Sequence, residues 1–285
     1  GIYDNIIFNS TIDRNKNLIP AAVLEEVISG TQEFFGLMKS FGINIHYLGG
    51  ETADVGDVVR TITVNGTMAA RWPKAKIISN EKIKPGNVIV GLASFGKSSY
   101  EKNHNSGIGS NGLTSARHDL LSKYYAENFK ESYDNALDGE VVYIGHNRIA
   151  EIEGILSPTR TYAPLMKKLL EENFEKISGL IHCSGGGQTK CLKYVPENVR
   201  VVKDNLFDPP KIFEQIQEAS KADDREMYQV FNMGCRMEIY TDEDFANAII
   251  NEAASFEIVA RVIGRVEEGQ KKGLIIKTKN GELLF

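Results

Sequence analysis

Two apolar, strand-like runs end directly in glycine clusters, and this feature constrains the fold more than any other. Ile43 to Leu48 runs into Gly49-Gly50-Glu51-Thr52-Ala53-Asp54, and Leu180 to Cys183 runs into Ser184-Gly185-Gly186-Gly187. Glycine lets a backbone pass close to a ligand. In the first cluster, Glu51 and Thr52 directly behind the glycines could hold a magnesium ion that carries phosphates. In the second, a helix follows, and the free N–H groups at a helix start attract anions. The plain alternatives are a surface turn with an acidic residue and a flexible turn beside a packed histidine, His182.

Between these runs, strand-like and helix-like periods mix along the whole chain, so the class is α/β or α+β. Asn5 to Ile12 reads as a strand. Pro20 opens a helix to about Ser40, and Val58 to Ala70 is β-rich, with Asn65-Gly66 either a hairpin turn or a bulge. The polar stretch Trp72 to Gly86 separates two domains, residues 1–83 and 84–285. Val88 to Leu92 is a buried strand, Ser94 to Gly112 a long loop, and Leu113 to Ala126 a helix. Ser157 and Pro158 predict another helix start. Asp208-Pro209 opens a helix carrying Ile212, Phe213 and Ile216. Thr241-Asp242-Glu243-Asp244 matches a capping box for a helix through Ala254. Strands Glu257 to Val266 and Leu274 to Thr278 close the chain, with a turn at Asn280-Gly281.

Composition narrows the function. At 285 residues, 42% hydrophobic and 25% charged, the chain is an ordinary globular protein. A net charge of −5 gives no reason to expect nucleic acid or an anionic membrane. No apolar run approaches the ~18 residues of a membrane span. The cysteines Cys183, Cys191 and Cys235 form no CxxC pair, which suits a reducing, cytoplasmic setting and argues against a zinc site. The chain begins Gly1-Ile2-Tyr3 without an initiator Met, which predicts that an upstream segment has been removed.

Other segments bear on anion binding. Gly107-Ile108-Gly109-Ser110-Asn111-Gly112 matches GxGxxG, but its preceding strand ends near Leu92, too far back for a dinucleotide fingerprint. Ser110, Asn111 and the local N–H groups could still hold phosphate where the next helix begins. Asn232 could orient a ligand, although a lone asparagine is more often a turn residue. Arg160 could contact an anion, although most arginines in a first helical turn meet solvent.

Taken together, these segments resemble the phosphoribosylformylglycinamidine cyclo-ligases, also called aminoimidazole ribonucleotide synthetases. The matching stretches are GGETA from Gly49, KPGNVIVGLASFG from Lys84, SNGLTSAR from Ser110, LSPTRTY from Leu156, GLIHCSGGG from Gly179 and EMYQVFNMGCRM from Glu226. Each is weak alone; six in the family's order are specific.

The resemblance implies a two-domain synthetase fold whose N-terminal ATP-binding and dimerisation domain is incomplete here. It implies ATP-dependent cyclisation of formylglycinamidine ribonucleotide to aminoimidazole ribonucleotide in purine biosynthesis, with ATP and Mg2+ and a homodimeric full-length protein. On this reading His182 and Glu51 are catalytic, Glu51 also binds the metal, and Gly49, Gly50 and Thr52 bind ATP. Ser110, Asn111, Gly112, Thr159, Arg160, Ser184, Gly185, Gly186, Gly187 and Asn232 bind substrate or phosphate. This chain alone is expected to be inactive. The chain departs from the family at an insertion, Lys97 to Ile108, and at Gly109, where the family has a histidine; His104 is the candidate replacement. The alternatives are another ATP-using member of the superfamily, such as a selenophosphate synthetase or small-molecule kinase, or a ligand-binding relative without catalysis.

Overall fold

The computed structural model describes residues 1–121, 127–128 and 154–285. Among these, two compact units are distinguished: Gly1–Ile77 with Tyr162–Lys168, and residues 78–121, 154–161 and Leu169–Phe285.

The first unit is built on a βαβ element. Strand β1 (Ile6–Arg14) runs parallel to β2 (Ile45–Asp54), and helix α1 (Ala21–Ser40) makes the crossover that a parallel pair requires. Strand β3 (Ile62–Ala70) pairs antiparallel with β1, giving the order β2-β1-β3. Phe35 and Met38 on α1 are buried, as are Ile12 on β1 and Ile43. Phe8, Phe35 and Tyr47 form an aromatic cluster, with Phe8 edge-on to Phe35 at 5.0 Å between centroids.

Asn65-Gly66 is neither a hairpin nor a bulge. It lies in regular register within β3, where Gly66 faces Ser10. The Phe8 ring covers Gly66: a Cβ there would lie 2.5 Å from Phe8 Cε2. The irregularity falls instead between Phe8 and Ser10 of β1, against β2. Gly50 sits opposite that shift, where a Cβ would come 1.8 Å from the Ser10 carbonyl oxygen.

Gly49 to Asp54, expected as a glycine turn after a strand, belongs to β2. The strand continues through all of it. Successive side chains on a strand point to opposite faces. Glu51 and Thr52 therefore diverge and cannot ligate one ion together. Asp54 is engaged by Lys16 at 3.1 Å.

The second unit holds a seven-stranded sheet of order β10-β9-β6-β8-β4-β7-β5. Its strands are β4 (Val88–Ala93), β5 (Ile177–His182), β6 (Val199–Lys203), β7 (Cys235–Thr241), β8 (Ala260–Glu268), β9 (Gly273–Thr278) and β10 (Gly281–Leu284). Pairing is antiparallel except between β6 and β9. The continuous apolar run of β4 is explained by its central place: Ile89, Val90, Leu92 and Ala93 are fully buried. Besides α1, the described α-helices are α2 (Leu113–Leu120), α3 (Ala163–Asn173, of which only Leu169–Asn173 belongs to this unit), α4 (Lys211–Ser220), α5 (Asp224–Val230) and α6 (Glu243–Ser255). Helix α6 packs on β4 and β8, and α4 buries Ile212, Phe213 and Ile216.

Three helix expectations change. Helix α2 ends at Leu120, and the expected residues 122–126 lie outside the described residues. Thr241 is the last residue of β7, so the capping box does not form; its hydroxyl donates to the Lys176 carbonyl instead, and Asp242 takes the N-cap position. Ser157-Pro158 does not start a helix; α3 begins at Ala163. Ser157 Oγ accepts from the Ser106 N–H at 3.0 Å, which draws this segment onto the long loop.

Candidate active site

The long loop after β4 is held in shape by side chains far away in sequence. Asn232 is its main clamp. Its Oδ1 accepts from Ser94 Oγ at 2.7 Å, and its Nδ2 donates to the Gly107 carbonyl at 2.8 Å. The loop then turns at Gly112, in the left-handed region, because the Phe231 ring fills the space a side chain would need. Gly187, also left-handed, packs on the Phe231 and Tyr228 carbonyls, where a Cβ would sit 2.4 and 2.6 Å from their oxygens.

The same region thus anchors both glycine segments, and it brings them together. Asn111 Nδ2 donates to the Val230 carbonyl. Its Oδ1 faces Gly185, 3.4 Å from where a Cβ would be. Ser110 N–H donates to Thr159 Oγ1 at 3.2 Å. Ser110, Asn111, Gly112, Thr159 and Ser184 to Gly187 therefore share one neighbourhood. Among the described residues, the backbone N–H groups of Asn111, Gly112, Gly185 and Gly186 have no protein acceptor. Free backbone N–H groups on neighbouring glycine segments can bind an anion.

His182 ends β5 just before the second glycine segment. His182 keeps an exposed edge, but partial desolvation of its ring, then the positive charges of Arg236 and Lys190, push its pKa down to about 4. It is neutral near pH 7 and does not supply the positive charge considered from sequence. Arg236 is buried on β7 and donates to the Gly107 and Ile108 carbonyls at 3.1 and 2.8 Å. A Cβ on Gly109 would lie 2.0 Å from Arg236 Nη2. Arg236 thus occupies the room that a side chain before Ser110 would require.

Two expected ligand contacts have other duties. Arg160 is buried, not solvent-facing: it forms an ion pair with Glu101, at 2.9 Å from Nε and 2.6 Å from Nη2, and donates to the Ala93 and Phe95 carbonyls. Asn232 is buried with its amide fully engaged, so it shapes the loop from behind and does not present itself to a ligand. Ser94 lies in the KPGNVIVGLASFG stretch, but nothing local in the sequence marks it or Glu101 as a partner, because both lie in an irregular segment. His104 lines a separate cavity of about 440 Å³ with Phe95, Ser106, Lys211 and Ile212.

Gly49, Gly50, Glu51 and Thr52 belong to the first unit, on β2, where all four are exposed. Among the described residues no group of three or more His, Cys, Asp or Glu side chains could hold a metal. Glu51 fits a metal only as a single carboxylate ligand to an ion already carried by phosphates. No described helix is long and apolar enough to cross a membrane.

Comparison with known proteins identifies the family. Residues 84–277 match the family described as AIR synthase related protein, C-terminal domain. A phosphoribosylformylglycinamidine cyclo-ligase of Methanocaldococcus jannaschii is 36% identical over 224 residues, 78% of this chain and 57% of that protein. Its counterpart in Methanococcus vannielii is 33% identical over 283 residues, 94% of this chain and 72% of that protein. The chain thus spans little more than half of the first relative's length. Among solved structures, the HypE-HypF complex matches with a TM-score of 0.59 at 16% identity, covering 98% of this chain and 76% of that one. T. maritima PurL complexed with FGAR matches with a TM-score of 0.54 at 15% identity, covering 97% and 38%. These structures establish the α/β fold alone; the family match and the sequence relatives show that the chain belongs to the phosphoribosylformylglycinamidine cyclo-ligase, or aminoimidazole ribonucleotide synthetase, family.

Proposed function

We propose that the protein catalyses ATP-dependent ring closure of formylglycinamidine ribonucleotide to aminoimidazole ribonucleotide, releasing ADP and phosphate. The observation that carries the reading is the pair of neighbouring glycine loops, Ser110 to Gly112 and Ser184 to Gly187, with unpartnered N–H groups, in a chain related at 33–36% identity to cyclo-ligases. PurL, a protein of similar fold, has been crystallised with FGAR and with ADP, which supports a phosphorylated substrate and a nucleotide.

The formyl oxygen of the substrate attacks the γ-phosphorus of ATP; a P–O bond forms there as the bond to ADP breaks. A nitrogen of the same substrate then attacks the activated carbon. The C–O bond breaks, phosphate leaves with the former formyl oxygen, and the nitrogen gives up its proton. No side-chain nucleophile is needed, and the chemistry depends on positioning and on cancelling phosphate charge. The Asn111, Gly112, Gly185 and Gly186 N–H groups hold phosphate oxygens, and Ser110 and Thr159 shape the first loop. Neutral His182 hydrogen-bonds at the edge of this cradle. Gly49, Gly50 and Thr52 are assigned to nucleotide binding, and Glu51 would be a single carboxylate ligand to the Mg2+ that ATP carries. The reading includes a cytoplasmic location and a homodimer of the whole protein.

The test is ADP release from ATP that depends on formylglycinamidine ribonucleotide, using protein expressed from the complete reading frame. ADP release with a different phosphorylated acceptor and none with this one would replace the reading with that of another superfamily member.

A further inference from the structure

The sheet beneath the second glycine loop contains a buried charge network that the proposed chemistry does not use. Lys203 ends β6 and Glu238 lies on β7; both side chains have no solvent exposure. In the sheet, β8 and β4 lie between these strands, yet Lys203 Nζ and Glu238 Oε1 form an ion pair. At the register positions flanking the pair, the intervening strands carry glycine: Gly264 faces Lys203, and Gly91 faces Glu238. Glu238 also accepts from Tyr240 OH at 2.8 Å and from Cys183 Sγ at 3.2 Å.

The lysine has two further acceptors, both on one residue. Its Nζ donates to the Gln188 carbonyl at 2.6 Å and to Gln188 Oε1 at 3.2 Å. With Glu238, these satisfy all the donors an ammonium has. Gln188 directly follows Gly187. Its Nε2 donates to the Asn232 carbonyl at 2.6 Å and to the Cys235 carbonyl at 2.7 Å. Asn232 in turn clamps the Gly107 carbonyl. A continuous path therefore runs from one buried ammonium through Gln188 to the base of both glycine loops.

A buried ion pair is poor evidence for stability, since packed apolar residues of similar volume often do as well. Its value lies in fixing one geometry. We propose that Lys203 is a positioning residue: paired with Glu238, it holds Gln188 in the one orientation that sets Gly185-Gly186 opposite Asn111-Gly112, and so determines anion affinity without touching the anion. The inference rests on the proposed phosphate-binding role of the loops, but not on the identity of the substrate.

The test measures inorganic pyrophosphate binding by calorimetry alongside the melting temperature. The double variant K203M/E238Q removes both charges and leaves no lone buried ion. We expect it to fold with a melting temperature within a few degrees of wild type, to bind pyrophosphate at least tenfold more weakly, and to show faster amide exchange over residues 184–188 and 107–112. A folded double variant with wild-type affinity overturns the proposal. If that variant does not fold, Q188M decides, because it cuts the path above an intact ion pair: at least a tenfold loss supports the proposal and unchanged affinity overturns it. If Q188M also fails to fold, amide exchange of the wild type decides. Opening of the two loops together with β6 and β7 supports the path, and independent opening overturns it. Absence of any pyrophosphate binding by the wild type also overturns it, whereas binding without turnover of formylglycinamidine ribonucleotide contradicts only the proposed reaction.

Discussion

Asn111 Oδ1 stands 3.4 Å from the point where a Cβ on Gly185 would be, and this narrow approach is where the two glycine loops meet. Gly185 does not occupy the left-handed region, so alanine imposes no backbone strain there. Gly185→Ala is expected to change stability by no more than about 1 kcal/mol, while its methyl group intrudes on the anion cradle and weakens phosphate binding at least tenfold. Thermal melts and calorimetry on the same sample separate the two effects. Wild-type affinity in this variant would mean that the anion sits elsewhere.

Gly187→Ala should behave in the opposite way. Its Cβ meets two carbonyl oxygens at 2.4 and 2.6 Å, and its φ is +48°. A loss of about 2–4 kcal/mol in denaturant unfolding is expected from the clash and the strained backbone. A change below about 1 kcal/mol would show that the loop relaxes freely.

Asn232→Ala removes the partner of Ser94 Oγ and of the Gly107 carbonyl in a buried setting. Buried groups left without partners cost about 1–3 kcal/mol each, so a total loss of about 2–4 kcal/mol is expected in urea unfolding. A variant of near wild-type stability would contradict the clamp assigned to this residue.

His182 supplies a pH signature. Its folded pKa of about 4 lies below the ordinary value of 6.5, so between these values the unfolded chain binds the extra proton. The stability gained from keeping this imidazole neutral is complete above about pH 6.5 and is lost as pH falls toward about 4. A bound phosphate favours the charged form, so its pKa should rise on anion binding, and affinity should increase as pH drops from 7 toward 5. NMR titration with and without pyrophosphate reads both pKa values; no movement on binding would remove His182 from the site.

Glu101 gives the acid limb. Burial opposes its ionisation, but hydrogen bonds from Arg160 and the Ser98 N–H outweigh this and hold its pKa below 4.5. Its contribution is present above about pH 4.5 and is lost below it as the carboxylate protonates. Glu101→Gln should flatten this part of the stability profile, which a denaturation series from pH 3 to pH 6 would show.

Much of the fold could be read directly where one face of an element is apolar. The periodicity of α1 and the unbroken apolar run of β4 both reflect burial that neighbouring residues share. Strands β6 and β7 were not legible, because their buried positions carry Lys203, Arg236 and Glu238, and charge inside a sheet erases the apolar signature. Glycine at 49 and 50 reads as a loop, whereas in the structure Gly50 gives way to the shifted β1 backbone. Ser157-Pro158 has the chemistry of a helix start, but its hydroxyl is taken by Ser106. For the site, the glycine segments and His182 were visible from local chemistry. The Arg160–Glu101 and Asn232–Ser94 pairs join residues 59 and 138 positions apart, and no local pattern reports a partner at that distance.

The central claim is that these loops serve ring closure of a phosphorylated substrate. Its most direct measurement is a coupled ADP-release assay on the protein expressed from its complete reading frame, with ATP, Mg2+ and formylglycinamidine ribonucleotide, the product identified by mass spectrometry. The account predicts ADP, phosphate and aminoimidazole ribonucleotide in equal amounts, with turnover lost in Gly185→Ala. Folded protein that releases no ADP with this substrate, or Gly185→Ala turning over at the wild-type rate and KM, would contradict it.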